Sequence, residues 1–164
     1  MFDDFTLDTV RAGDQRFRVR IGGGGPAVLL LHGYPQTHVM WHRVAPALAR
    51  HATVIAADLP GYGHSSGRPS TPDSSAHSKR AMAHDLVALM RVLGHERFAV
   101  AGHDRGGRVA YRMALDHPAR VERVAVLDIV PTAEMWRFAE RNAKAFGTRN
   151  WHWFFLARPV DQPE

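Results

Sequence analysis

The sequence predicts an α/β protein built on a mainly parallel sheet with helices on both faces. Two observations predict this class. Continuous apolar runs at residues 27–31, 53–57, 98–101 and 124–127 are too short for helices and read as strands buried on both faces. Helical patterns, clearest at residues 81–93 and 107–115, fall between the later runs, so strands and helices alternate as βαβ units do.

The elements follow in order. Residues 5–9 and 17–21 are alternating or β-branched runs separated by Ala12-Gly13-Asp14-Gln15, which reads as an antiparallel hairpin at a sheet edge. The glycine run at 22–25 leads into the first buried strand. Residues 61–78 are rich in Gly, Ser, Pro and His without apolar periodicity, and read as an exposed loop before the next helix. Beyond Pro131 the texture becomes aromatic and helical, with Trp136, Phe138, Phe146, Trp151, Trp153, Phe154 and Phe155. An aromatic helix needs a packing partner, and the closing residues 158–164 offer none. We therefore expect residues 1–131 to form the N-terminal part of a core and residues 132–164 to begin a helical cap that is cut short.

A length of 164 residues suits one compact unit, and 45% apolar residues supply a core. The absence of cysteine excludes disulfides and thiolate metal sites and fits a reducing cytoplasm. No apolar run approaches the roughly 20 residues of a membrane span, so no membrane partner is expected. The net charge of +5 comes from arginines spread along the chain rather than gathered in one run, which argues against nucleic acid and leaves a small anionic substrate compatible. No metal is expected: His77 and His84 lie seven apart but straddle a loop and a helix.

In open parallel sheets, ligands bind beyond the carboxyl ends of the strands. The most specific segment there is Gly102-His103-Asp104-Arg105-Gly106-Gly107, a buried strand entering a helix through a Gly-x-Asp-x-Gly turn. It has the shape of a nucleophile elbow, in which a strained turn lifts one side chain above the sheet and the helix N-terminus stabilises negative charge there. Serine at its centre would predict acyl transfer. Aspartate predicts attack on carbon, leaving an ester that water then cleaves. The alternative for Asp104 is a helix N-cap. A second motif, Leu31-His32-Gly33-Tyr34-Pro35, follows the first buried strand, where an oxyanion-hole amide would be expected. Asp128 ends the fourth run and is read either as a further acid at the functional edge or as an Asx turn before Pro131. His103 precedes the nucleophile on its strand and should point away from it.

Five stretches, 32–38, 41–46, 58–63, 102–109 and 127–132, together resemble the fluoroacetate (haloacetate) dehalogenases of the α/β-hydrolase superfamily, over essentially the whole chain. Epoxide hydrolases and haloalkane dehalogenases share several of these stretches but commonly resemble an elbow with tryptophan after the aspartate. Here that residue is Arg105, with Arg108 one helical turn on, and two guanidinium groups so spaced can clamp a carboxylate. The alternative is a pair of surface arginines near a helix start.

The resemblance implies hydrolytic dehalogenation of a short haloacid without a cofactor. Asp104 would be the nucleophile, with Arg105 and Arg108 on the substrate carboxylate. The amides of Tyr34 and Arg105 would form the oxyanion hole. Asp128 would orient a histidine expected beyond residue 164, so turnover by this chain is not expected. His152 and Trp153 would donate to the halide, the alternative being an aromatic cap core. The resemblance also implies a homodimer for a complete protein. Rival readings are an epoxide hydrolase or other hydrolase of the same fold, a non-catalytic remnant or interaction module, and a nucleic-acid binder.

Overall fold

The computed structural model describes residues 2–69 and 71–155, with the side chains of Phe154 and Phe155 outside the description. It divides into two units, residues 1–129 and 130–164.

The first unit is a six-stranded sheet. Strands β1 (Thr6–Ala12) and β2 (Gln15–Gly22) form the expected hairpin, and β1 is an edge. Strands β3 (Ala27–Leu31), β4 (Thr53–Ala57), β5 (Phe98–His103) and β6 (Val121–Leu127) complete the order β1-β2-β4-β3-β5-β6. The β3–β4, β3–β5 and β5–β6 pairings are parallel, while β1–β2 and β2–β4 are antiparallel. A 3-10 segment, His38–Arg43, and a short helix α1 (Ala45–Leu48) follow β3. Helix α2 (Lys79–Val92) precedes β5, and α3 (Arg105–Asp116) follows it.

The continuous apolar runs are explained by burial on two faces. Leu29, Leu31, Ile55 and Ala57 point into one core with Met82, Leu86, Val109 and Met113 of α2 and α3. Their alternating neighbours Leu30, Val54 and Ala56 point into the other, with Trp41 and Ala45. At a side-chain period of two, a strand covered on both faces must be apolar at every position. Each fully buried leucine contributes roughly 2 kcal/mol relative to exposure.

Strand β6 corrects one expectation. It forms where the apolar run predicts and starts three residues earlier, but it is not buried: Val124, Val126 and Leu127 are each more than 40% exposed. Among the described residues it pairs only with β5, which makes it an edge.

In the second unit, α4 (Thr132–Arg141), α5 (Ala143–Arg149) and α6 (Trp151–Phe155) gather around Phe146, which is fully buried. Trp136 and Trp153 lie 5.9 Å from its ring, and each other's rings stand 5.5 Å apart edge to face. The aromatic residues thus supply one another's packing partners. No helix among the described residues is long and apolar enough to cross a membrane.

Candidate active site

Asp104 stands between the end of β5 and the start of α3 with φ 49° and ψ −115°, a conformation that a non-glycine residue adopts only when its surroundings impose it. The turn is held from both sides. The Asp104 amide donates to the Leu127 carbonyl at 3.2 Å, and the Asp104 carbonyl accepts from the Arg108 amide at 3.1 Å. Its side chain makes no capping hydrogen bond, so Asp104 does not serve as a side-chain N-cap. Gly106 lets α3 close onto the sheet, because a Cβ there would lie 2.4 Å from the carbonyl oxygens of both Leu31 and His32.

The loop after β3 touches the same point. A Cβ on Gly33 would meet the Asp104 Cβ at 2.6 Å, so only glycine permits this approach. Tyr34 is the next residue, and the Tyr34–Pro35 peptide is cis. Neither the Tyr34 amide nor the Arg105 amide has a hydrogen-bond acceptor among the described residues.

Two buried histidines fix that loop. Leu59 N–H donates to His32 Nε2 at 2.9 Å, which leaves the proton on Nδ1 to be donated to the Gly33 carbonyl at 2.8 Å. His38 donates to Asp58 Oδ1 through both Nδ1 and its amide, each at 2.7 Å, and the His64 amide donates to Oδ2 at 3.1 Å. Burial alone would push the Asp58 carboxyl up, but these donors outweigh it and hold the group below its ordinary value. The loops after β3 and β4 are thereby stapled together.

Burial pushes the His32 imidazole below its ordinary value, against smaller opposing effects from Gly33, Asp58 and Asp104. Its hydrogen bonds require the neutral ring. The folded state therefore binds fewer protons here than the unfolded chain, so this contribution is present above the ordinary histidine value of 6.5 and is lost as pH falls below it. The urea midpoint should accordingly drop between about pH 7.5 and about pH 5. His32→Asn should show a shallower drop, and equal slopes for the two proteins would contradict this role.

Arg105 and Arg108 open α3, whose first turn carries no acid. The Arg105 guanidinium sits over the Tyr62 ring, 5.8 Å from its centroid, and Tyr62 packs edge to face on His32 at 5.3 Å. Burial lowers the Arg108 guanidinium, with Arg105 adding to the effect and Tyr111 and Asp104 opposing it. Arg108 is thus close enough to feel both Arg105 and Asp104, as the one-turn spacing predicts.

Asp128 follows β6 in a left-handed conformation, φ 53°, with its side chain 89% exposed. Its Oδ2 is 3.7 Å from His103 Nε2, and His103 Nδ1 is buried with no hydrogen-bond partner among the described residues. His152 and Trp153 lie on α6, both partly buried, with the Trp153 ring in the aromatic cluster of the second unit.

Sequence reasoning missed Lys79 and Tyr62. Lys79 is the first residue of α2, and burial followed by Arg105 and Arg108 lowers its ammonium to about 8, with Asp104 opposing. The available signal was compositional. The chain has nineteen arginines and only two lysines, and one of those lysines stands at a helix start, where the helix dipole disfavours a cation.

A parallel-centred sheet carrying an aspartate elbow after β5 and a glycine loop after β3 defines an α/β-hydrolase. Residues 26–151 match the model of the alpha/beta hydrolase fold family, and the chain belongs to that family. It is 52% identical over its whole length to a fluoroacetate dehalogenase of Burkholderia sp, of which it spans 53%. It is 45% identical over 66% of its length to a soluble epoxide hydrolase of Corynebacterium sp. (strain C12), of which it covers 36%. A crystal structure of a candidate alpha/beta hydrolase from Nostoc sp PCC 7120 superimposes with a TM-score of 0.94 at 51% identity, covering 99% of this chain and 55% of that one. The chain thus spans about half the length of the dehalogenase it matches.

Proposed function

We propose that this chain carries the nucleophile and the carboxylate clamp of a hydrolase that cleaves the carbon–halogen bond of a short haloacid. The observation that carries the reading is Asp104 itself, held at φ 49° beside two arginines and making no capping hydrogen bond. A carboxylate so presented supports the reading of Asp104 as a nucleophile. Similarity to the Burkholderia dehalogenase supports the haloacid as substrate.

In this reading Arg105 and Arg108 hold the substrate carboxylate. An Asp104 oxygen attacks the halogen-bearing carbon, and the halide departs with the bonding electron pair, leaving an aspartyl ester. Water then attacks the ester carbonyl, the amides of Tyr34 and Arg105 stabilise the oxyanion, and a hydroxy acid leaves. Asp128 would orient the histidine that activates this water. The family resemblance adds His152 and Trp153 as N–H donors to the halide.

The epoxide-hydrolase reading is the second, favoured by similarity to the Corynebacterium enzyme. The two separate on whether the substrate needs a carboxylate. Chloroacetate should modify Asp104 or release chloride, while chloroacetamide should react about a hundredfold more slowly, the effect of losing the charge-assisted bonds between the substrate carboxylate and the half-buried guanidinium groups. Arg108→Met should erase most of that preference. Rapid opening of a small neutral epoxide with no reaction of chloroacetate would replace the haloacid reading with the epoxide one.

A further inference from the structure

We propose that the outer edge of β6 is a self-association surface, at which two copies of this chain pair antiparallel through residues 123–127 and continue one sheet across a two-fold axis. The proposal is independent of the haloacid reading.

The first argument is the state of the edge. β6 ends the sheet, and Val124 and Val126 are each 46% exposed and Leu127 42%. Ala125 between them is exposed as well, so both faces of the strand's second half are open. The Leu127 carbonyl accepts from the Asp104 amide, which turns the main-chain polar groups of Leu127 toward β5. Such groups alternate in direction along a strand, so those of Ala125 also point at β5, and those of Val124 and Val126 point outward. An outward row of this kind on an uncharged stretch is a template for another strand. The opposite edge is different, because β1 carries exposed Asp8 and Arg11, charges that discourage pairing.

The second argument identifies the occupant. An antiparallel copy centred on Ala125 sets Val124 opposite Val126 of the second copy, and each such pair exchanges both of its N–H···O bonds. Valine then meets valine on one face. On the other, Ala125 meets Ala125 and the Arg123 stem lies along Leu127. Charge favours the same arrangement. Arg123 is exposed with no ion-pair partner among the described residues, and the Asp128 side chain just beyond the strand is 89% exposed. Antiparallel pairing brings the Arg123 end of each strand beside the Asp128 end of the other, whereas parallel pairing in register would stack Arg123 on Arg123. Glu122, at the same end as Arg123, is already paired with Arg97 at 3.1 Å. A two-fold pairing uses each edge once and closes at the dimer.

The test is sedimentation equilibrium of the 164-residue chain, joined to cross-linking through single introduced cysteines, for which a chain with no cysteine of its own is suited. At about 100 μM the wild type should show a mass near twice 18.3 kDa, as a dissociation constant of about 10 μM or below would give. Val126→Lys should raise that constant at least about tenfold, since a lysine on an edge strand opposes pairing. Val124→Pro should do the same, because it removes an outward N–H and leaves the ladder to β5 intact. Both variants should keep the wild-type far-ultraviolet spectrum. Ala125→Cys should form a disulfide-linked dimer under mild oxidation, its two copies facing each other in a non-hydrogen-bonded pair. Arg123→Cys, which faces Leu127 rather than itself, should not. A wild-type monomer at about 100 μM would overturn the proposal, as would a dimer that neither Val126→Lys nor Val124→Pro weakens. Equal cross-linking of Ala125→Cys and Arg123→Cys would overturn it too, since the pairing would then lack the stated register. A monomer whose Val124 and Val126 amides resist hydrogen exchange would give the edge to another segment of the same chain, and the proposal would fail.

Discussion

Asp104→Asn is expected to reduce the reaction with chloroacetate roughly ten-thousandfold or more, the scale on which loss of a nucleophile acts. The amide is nearly isosteric with the carboxylate but has no charge to deliver to carbon. Asparagine also tolerates a positive φ better than most residues, so the strained turn at φ 49° should survive the change. The loss would therefore be chemical, with the far-ultraviolet spectrum retained. A modest fall in stability should accompany it, because Arg108 and Lys79 lose an anion that favours their charged forms. Reaction at the wild-type rate in Asp104→Asn would move the nucleophile elsewhere.

Gly106→Ala is expected to produce a large loss of stability at the first unit's elbow. The added Cβ would lie 2.4 Å from two backbone carbonyl oxygens of β3 and its following loop, Leu31 and His32. Neither is the end of a flexible side chain, so α3 must move away from the sheet and uncover Val109 and Met113, both fully buried. Overpacking of this kind costs about 1–3 kcal/mol and occasionally more, a large share of a typical domain's total. Gly147→Ala is the control: nothing lies within 4 Å of its added methyl, and the position is helical. That change should stabilise its helix by roughly 0.5–1 kcal/mol. A urea midpoint for Gly106→Ala equal to wild type would show that the elbow is looser than its geometry implies.

Local physics made much of this legible in the sequence. Residues 27–31 and 53–57 form β3 and β4 with the bounds their apolar runs predict, because a strand buried on both faces has no polar position to blur its ends. Helix α2 begins two residues before its apolar periodicity does, since Ser78 caps it by accepting from the Ala81 amide and the first turn needs no buried side chain. The elbow was legible because Gly-x-Asp-x-Gly records a steric requirement within a few residues. What escaped depends on distant parts of the chain. The exposure of β6 is decided by what pairs with it, not by its own valines. The His38–Asp58 staple joins residues twenty apart. Lys79 feels the charges of Arg105 and Arg108 from a different helix, and no spacing rule within one element announces that.

The nucleophilic role of Asp104 is the central claim, and peptide mapping by mass spectrometry after incubation with bromoacetate tests it most directly. The account predicts one carboxymethyl group per chain on the peptide containing Asp104, removable by hydroxylamine as an ester is, or, where the ester hydrolyses in place, bromide release that Asp104→Asn abolishes. Carboxymethylation confined to histidine or lysine side chains, with Asp104 unmodified and bromide release unchanged in Asp104→Asn, would contradict it.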